Sequence, residues 1–342
     1  MKKKMRMLPN KYKIAILGDG GWGTTLAIIL AEKNYSVTLW GAFPEYIKTL
    51  QQKRINSKFL PGIKIPSSVS FSADLNQTII CNDIVVIAVP SQYLRDVVRK
   101  IKNIPGYKNK IFLSVTKGIE LKTLKRMSEV IRELLGNIKL AVLSGPTIAH
   151  EIAVKNPATA VIASGDRKIR KTLQHIFMTE RFRIYTNSDI IGVELGGSLK
   201  NIIAIASGIC DGLGFGTNAK AALLSRGLAE ISRLGKAMGA KKETFSGISG
   251  LGDLVTTCVS SYSRNRYVGE QIGKGKTLER IQSHMQMIAE GVPTTKSAYN
   301  LSKKYNVRMP ITSEVYAVLY KNKPVAKAVK DLMTRDKKEE TD

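Results

Sequence analysis

Short apolar runs recur through the first half of the chain, separated by longer mixed segments: Ile14–Leu17, Ser36–Trp40, Ile84–Val89, Ile111–Val115, Leu140–Leu143 and Ala160–Ala163. Each run is apolar or nearly so instead of alternating, as expected of strands covered on both faces. Strands separated by helix-length segments predict strand-helix-strand units and a parallel sheet. From Ile190 onward the pattern changes to helix-length periodic stretches punctuated by glycine, without strand alternation. A boundary is therefore expected near Thr186–Asp189. It divides an α/β domain over 11–188 from an all-helical domain over 189–335, and the charged tail Asp336–Asp342 is expected to fray.

The length of 342 residues agrees with two domains, and 43% hydrophobic residues suffice for sizeable cores, which excludes a disordered chain. The balance of 54 basic against 27 acidic residues, a net +27, raises three kinds of partner: nucleic acid, anionic lipid or a phosphorylated small molecule. Charge alone does not choose among them. Cys81, Cys210 and Cys258 are odd in number and lack metal or redox spacing, so no disulfide framework or zinc site is expected and a reducing cytoplasm fits. The basic start is followed only by Ile14–Leu17, too short for a signal sequence, and no stretch is expected to span a membrane.

Chemistry first enters at Gly18-Asp19-Gly20-Gly21-Trp22-Gly23, where Gly18, Gly20 and Gly23 have the G-x-G-x-x-G spacing between an expected strand and an expected helix. The first glycine permits the tight turn, the second lets a pyrophosphate approach the backbone, and the third lets helix and strand pack closely. The helix N-terminus adds unpaired N–H groups for the phosphates. This context predicts a Rossmann-type, doubly wound parallel sheet that binds a dinucleotide. The end of the second strand, Leu39-Trp40-Gly41-Ala42-Phe43-Pro44-Glu45, offers neither an acid for a ribose 2′-hydroxyl nor an arginine for a 2′-phosphate. NAD and NADP both remain open. Glu45, after Pro44, is expected in the first turn of a helix.

In the second half, helical spacing places Gly196, Gly197, Ala204, Ser207 and Gly208 on the face that carries Lys200. Small residues let another body pack closely, and a lysine set among them loses solvent. Desolvation lowers its pKa and suits it to proton transfer near neutrality. The alternative is a lysine that snorkels or pairs with a distant carboxylate. Asp253 follows a glycine-rich turn, and Ser263-Arg264-Asn265-Arg266 offers a guanidinium and an amide suited to a phosphate.

At these residues the chain resembles the bacterial-type NAD(P)-dependent glycerol-3-phosphate dehydrogenases, from about Lys11 to Arg335. The resemblance runs through the glycine loop, Leu60-Pro61-Gly62, Ala88-Val89-Pro90-Ser91-Gln92, Val115-Thr116-Lys117-Gly118-Ile119-Glu120 and Ser144-Gly145-Pro146-Thr147. It continues through Leu199-Lys200-Asn201, Gly250-Leu251-Gly252-Asp253-Leu254, Ser263-Arg264-Asn265-Arg266 and Glu290-Gly291. It implies reversible reduction of dihydroxyacetone phosphate to sn-glycerol 3-phosphate, the backbone of phospholipids, by a cytoplasmic homodimer. By the same resemblance Lys200 exchanges the proton with the C2 oxygen and Lys117 contacts substrate and cofactor. Asp253, with Asn201 and Thr257, orients Lys200 and the substrate hydroxyls. Ser263, Arg264 and Asn265 receive the phosphate, and Gly145 and Thr147 add substrate contacts. Gly18, Gly20, Gly21, Trp22, Gly23, Ala149, Ile288 and Glu290 line the cofactor, with Arg264 beside it.

Three positions depart from the family pattern: Gly21 for the frequent serine, Ala42 for the arginine of NADP-preferring members, and Ile148 for phenylalanine. His150, His175 and His284 have no metal-ligand spacing, Cys258 reads as a buried small side chain, and Lys2–Lys4 and Lys122–Arg126 read as solvated surface. No interleaved aromatic and basic platform for nucleic acid is present. Two alternatives stay open: a related two-domain dehydrogenase of the ketopantoate or 6-phosphogluconate type, and a nucleotide- or nucleic-acid-binding module without catalysis.

Overall fold

A computed structural model describes residues 12–285, 287–337 and 339–340. Lys11, the Lys2–Lys4 run, and Lys338, Thr341 and Asp342 of the tail lie outside the described residues. The chain divides into two compact units, one of residues 1–116 and 127–190, the other of residues 117–126 and 191–342. The second unit therefore takes in a short excursion, Lys117–Arg126, that a contiguous division at Asp189 does not contain.

Among the described residues the first unit has ten strands: β1 (Lys13–Leu17), β2 (Ser36–Trp40), β3 (Ile55–Asn56), β4 (Leu60–Lys64), β5 (Val69–Ser72), β6 (Ile84–Ile87), β7 (Ile111–Ser114), β8 (Lys139–Ser144), β9 (Ala158–Ala163) and β10 (Phe182–Asn187). Eight form one sheet in the order β10-β9-β8-β7-β6-β1-β2-β5, while β3 and β4 form a separate antiparallel pair. The sheet is doubly wound for a reason visible in the strands. Ile14 and Ile16 of β1 enter one apolar core and Ala15 and Leu17 the other, and β6 repeats this with Ile84 and Val86 against Val85 and Ile87. Period-2 alternation sends apolar residues to both faces, so helices must cover both. Helix α1 (Gly21–Glu32) and the Arg167–Phe177 helix supply one layer, and the Leu94–Ile101 and Met127–Leu135 helices the other.

The all-parallel sheet expected from the sequence needs one correction. β9 runs antiparallel to β8, and β10 is parallel to β9, so one edge of the sheet is reversed. The connection between β8 and β9, residues 145–157, carries only the short helix Ala149–Ala153, and the chain returns beside β8 in the opposite direction.

In the second unit every regular element among the described residues is a helix. Its axis is the helix Ile190–Gly212, buried continuously from Gly192 to Ile209. By length and composition this helix could cross a membrane, which departs from the sequence expectation, but 89% of its most apolar window is buried inside the protein. Its small face is used for backbone contact: a Cβ at Gly196 would stand 2.5 Å from the Ser249 carbonyl oxygen, and one at Gly208 only 1.9 Å from that of Arg266. The excursion joins this core through Ile119, and Ser198 and Ser297 donate to the carbonyls of Gly118 and Ile119. Arg126 is 8% exposed and paired with the buried Glu194, so the Lys122–Arg126 run is not uniformly the solvated surface expected.

Candidate active site

In the first unit the glycine loop follows β1 and opens α1. Gly18 has φ +124° and donates its N–H to the Trp40 carbonyl at 2.9 Å; a Cβ there would strike the Ala88 carbonyl oxygen at 2.7 Å. A Cβ at Gly23 would lie 1.9 Å from the Gly18 carbonyl oxygen, so the third glycine lets the helix sit on its own turn. At Gly20 the same atom would meet nothing within 4 Å. Gly20 is also the N-cap of α1, and no side chain caps the helix. Open space above uncapped N–H groups suits the pyrophosphate of a dinucleotide.

Gly21 has a local reason to be glycine, because a Cβ would stand 2.6 Å from the Phe59 carbonyl oxygen and 3.8 Å from Ala149 Cβ. Ala149 is thus brought beside the loop, and its carbonyl accepts from Thr25 Oγ1 at 3.1 Å. Trp22 turns its ring to the core, edge-on to Phe182, with Nε1 buried and without a hydrogen-bond partner among the described residues. Gly145 and Thr147 follow β8, where Thr147 Oγ1 donates to the Gly145 carbonyl at 3.1 Å.

Two loop features were not singled out from the sequence. Asn56, fully buried, donates to the Asp19 carbonyl at 2.8 Å and to Thr24 Oγ1 at 2.7 Å, and accepts from Tyr46 and from Phe59 N. One amide thereby fixes the glycine loop from an element more than thirty residues away. Asp19 itself carries Oδ2 buried without a hydrogen-bond partner among the described residues. Burial raises its pKa, opposed by its own backbone N–H and by the charge of Lys58. The signal for it was an acid inside a loop that the motif leaves unspecified.

In the second unit a π-helical turn, Ile248–Gly252, delivers Asp253 to the start of the helix Asp253–Val259. Asp253 is 1% exposed and holds two lysines, one on each carboxylate oxygen: Lys200 on Oδ1 and Lys117 on Oδ2 at 2.7 Å. Thr257 Oγ1 donates to the Asp253 carbonyl at 2.7 Å and accepts from Lys200 Nζ. Burial pulls the Lys200 pKa down to about 8; Asp253 opposes that fall and the positive charge of Lys117 adds to it. The paired lysine that the sequence left as an alternative is thus realised together with the tuned one.

Asn201 is turned to a different partner. Its Oδ1 accepts from Asn265 Nδ2 at 2.9 Å, and Asn265 Oδ1 accepts from Gly291 N at 2.8 Å. Ser263 caps the helix Arg264–Gly273 by accepting from Arg266 N. The two arginines of this motif have different environments. Arg266 is committed to Asp211 at 2.7 Å, whereas Arg264 is exposed and has no hydrogen-bond or ion-pair partner among the described residues. Protein crowding around Arg264 lowers its pKa and the Glu290 carboxylate raises it, and a guanidinium stays charged throughout. Ile288, two residues before Glu290, is 39% exposed. Cys258 is buried and its thiol is pushed up to about 12, which leaves it unreactive.

Comparison with known proteins extends this picture over the whole chain. Residues 13–170 match the family described as NAD-dependent glycerol-3-phosphate dehydrogenase N-terminus, and residues 189–330 match its C-terminus. A glycerol-3-phosphate dehydrogenase [NAD(P)+] of Prosthecochloris aestuarii is 52% identical over 330 residues, covering 96% of this chain and 99% of that protein. Another from Chlorobium limicola is 49% identical with the same coverage. The crystal structure of glycerol-3-phosphate dehydrogenase from Coxiella burnetii superposes with a TM-score of 0.92 at 38% identity, over 96% of this chain and all of that one.

Proposed function

The chain belongs to the NAD-dependent glycerol-3-phosphate dehydrogenase family, and from that premise we propose how its own residues perform the family's reaction. It is an oxidoreductase that reversibly reduces dihydroxyacetone phosphate to sn-glycerol 3-phosphate with NAD or NADP as cofactor. When bound, the nicotinamide supplies the hydride that reduces C2.

The residues that hold the cofactor are the glycine loop, through the open backbone at Gly20 and the N–H groups of Gly21 and Trp22, with Gly18, Gly23 and Ala149 shaping it. Ile288 and Glu290 are assigned to the cofactor by family resemblance alone. As the C2 carbonyl gains negative charge, Lys200 stabilises the developing alkoxide and then gives it a proton. The neutral amine left behind regains a proton from solvent, and in the oxidative direction it takes the proton from the C2 hydroxyl. Asp253 holds Lys200 by one oxygen and Lys117 by the other, so that two cations are kept in one buried place without mutual repulsion dispersing them. Thr257 fixes the direction of the Lys200 ammonium. Lys117 polarises the same oxygen.

Arg264 receives the substrate phosphate, because among the two arginines of its motif it is the one with no carboxylate in contact with its guanidinium among the described residues. Asn265 and Asn201 brace that position through their shared hydrogen bond and Ser263 sets the helix start, while Gly145 and Thr147 are assigned to the substrate by family resemblance alone. Phosphate binding remote from C2 places the carbonyl for reaction. The enzyme works in the cytoplasm as a homodimer, for which family likeness is the support; sedimentation at micromolar concentration checks the second point.

The observation that carries this reading is a buried lysine, tuned to about 8, held by a buried carboxylate. Its test is Lys200→Ala. Turnover falls by ~10²- to 10⁴-fold while NADH binding persists; turnover like wild type in the folded variant removes Lys200 from the chemistry.

A further inference from the structure

The end of β2 carries no acid, yet a carboxylate is found there. A Cβ built on Gly41, the first residue after β2, would stand 2.5 Å from Asp19 Oδ2. The side chain of Asp19 thus occupies the space over Gly41, where a residue at the end of the second strand would place its own side chain. In dinucleotide-binding folds that place belongs to the acid that reads the ribose 2′-hydroxyl. Oδ2 is buried and has no hydrogen-bond partner among the described residues, so it is an acceptor lacking a donor, a costly arrangement unless a ligand supplies one. The Asp19 backbone is fixed by Asn56, so the carboxylate is carried on a braced loop.

We propose that Asp19 reads the adenosine ribose in place of an acid at the end of β2, accepting hydrogen bonds from its hydroxyls and repelling a 2′-phosphate, so that this chain prefers NAD(H) to NADP(H). The proposal rests on the dehydrogenase reading above and decides the cofactor preference within it. Two nearby cations bear on it. Arg54 is spent on the carbonyls of Pro66 and Val69 and lies over the Phe71 ring. Lys58 acts on Asp19 through its charge but sits over the rings of Tyr46 and Phe59. A 2′-phosphate brought to this position would meet the Asp19 carboxylate directly, and like charges at short range cost far more than a single lysine at longer range returns.

The test is direct titration of the full chain with NADH and with NADPH, read as dissociation constants for wild type, Asp19→Asn and Asp19→Ala, with melting temperatures to confirm folding. Wild type binds NADH at least ~10-fold more tightly. Asp19→Asn keeps the shape and loses the charge, so its preference shrinks to within ~3-fold, chiefly because NADPH binds better. Asp19→Ala weakens NADH binding as well. A wild type that prefers NADPH, or variants that weaken both cofactors equally, overturns the assignment while leaving the dehydrogenase reading intact. Failure of the wild type to bind either cofactor overturns both.

Discussion

Lys117 Nζ stands 2.7 Å from Asp253 Oδ2, across 136 positions of sequence, and Asp253 spends its other oxygen on Lys200. One carboxylate therefore balances two ammonium groups in a buried setting. Removing one member of such a set leaves uncompensated charge and is expected to cost ~3 to 5 kcal/mol of stability. For Asp253→Asn the lost charge is the one that raises the Lys200 pKa, while Lys117 continues to lower it. Lys200 then deprotonates at lower pH than in wild type. Thermal melts and the pH dependence of the reduction rate check this: the melting temperature falls and the high-pH limb moves to lower pH.

Arg264 and Arg266 are two residues apart and separate by partner. Arg264→Ala is expected to raise the KM for dihydroxyacetone phosphate by ~10- to 100-fold, the worth of a charge-assisted hydrogen bond, with a smaller effect on cofactor binding. Arg266→Ala breaks the pairing with Asp211 and is expected to lower the melting temperature with little change in KM. Steady-state kinetics of the two variants side by side decide the matter. An unchanged KM in Arg264→Ala moves the phosphate elsewhere.

The glycine loop gives a paired prediction. Gly20→Ala adds a methyl group into open space, so the variant folds with an unchanged melting temperature and loses affinity for NADH. Gly23→Ala forces that methyl within 1.9 Å of the Gly18 carbonyl oxygen and destabilises the fold by ~1 to 3 kcal/mol or more. Melting curves with and without NADH separate the two effects.

Much of the fold was legible because it is local. The apolar runs at Ile14–Leu17 and Ile84–Val89 form strands since β-branched residues packed on both faces leave little choice. Val69–Ser72 and Phe182–Asn187 escaped that reading. Both are edge strands with polar alternation, in which covering on one face replaces the continuous apolar signal. The reversed direction of β9 also has no local signature, because an apolar strand covered on both faces reads the same whichever way it pairs with β8. Within the site, Lys200 could be read from the small residues of its own helix, and the structure gives those residues their reason in the backbone contacts at Gly196 and Gly208. The transfer of Lys117–Arg126 to the second unit and the burial of Arg126 against Glu194 are long-range facts, invisible to periodicity. Asp19 carries no signal in the sequence, because the glycine motif places no demand on that position; only its closeness to Gly41 makes it informative.

One amine, that of Lys200, gives the proton in reduction and takes it in oxidation. Its pKa, lowered by burial to about 8, fixes opposite signs for the two directions. Reduction needs the ammonium, present below that pH and lost as pH rises through it; oxidation needs the neutral amine, which appears over the same range. The most direct measurement is kcat/KM for dihydroxyacetone phosphate and for sn-glycerol 3-phosphate across pH 6 to 10, a span of about two units on each side of that pKa. The first is expected to fall and the second to rise about a common midpoint near 8. Two profiles that move in the same direction, or that are flat through this range, contradict it.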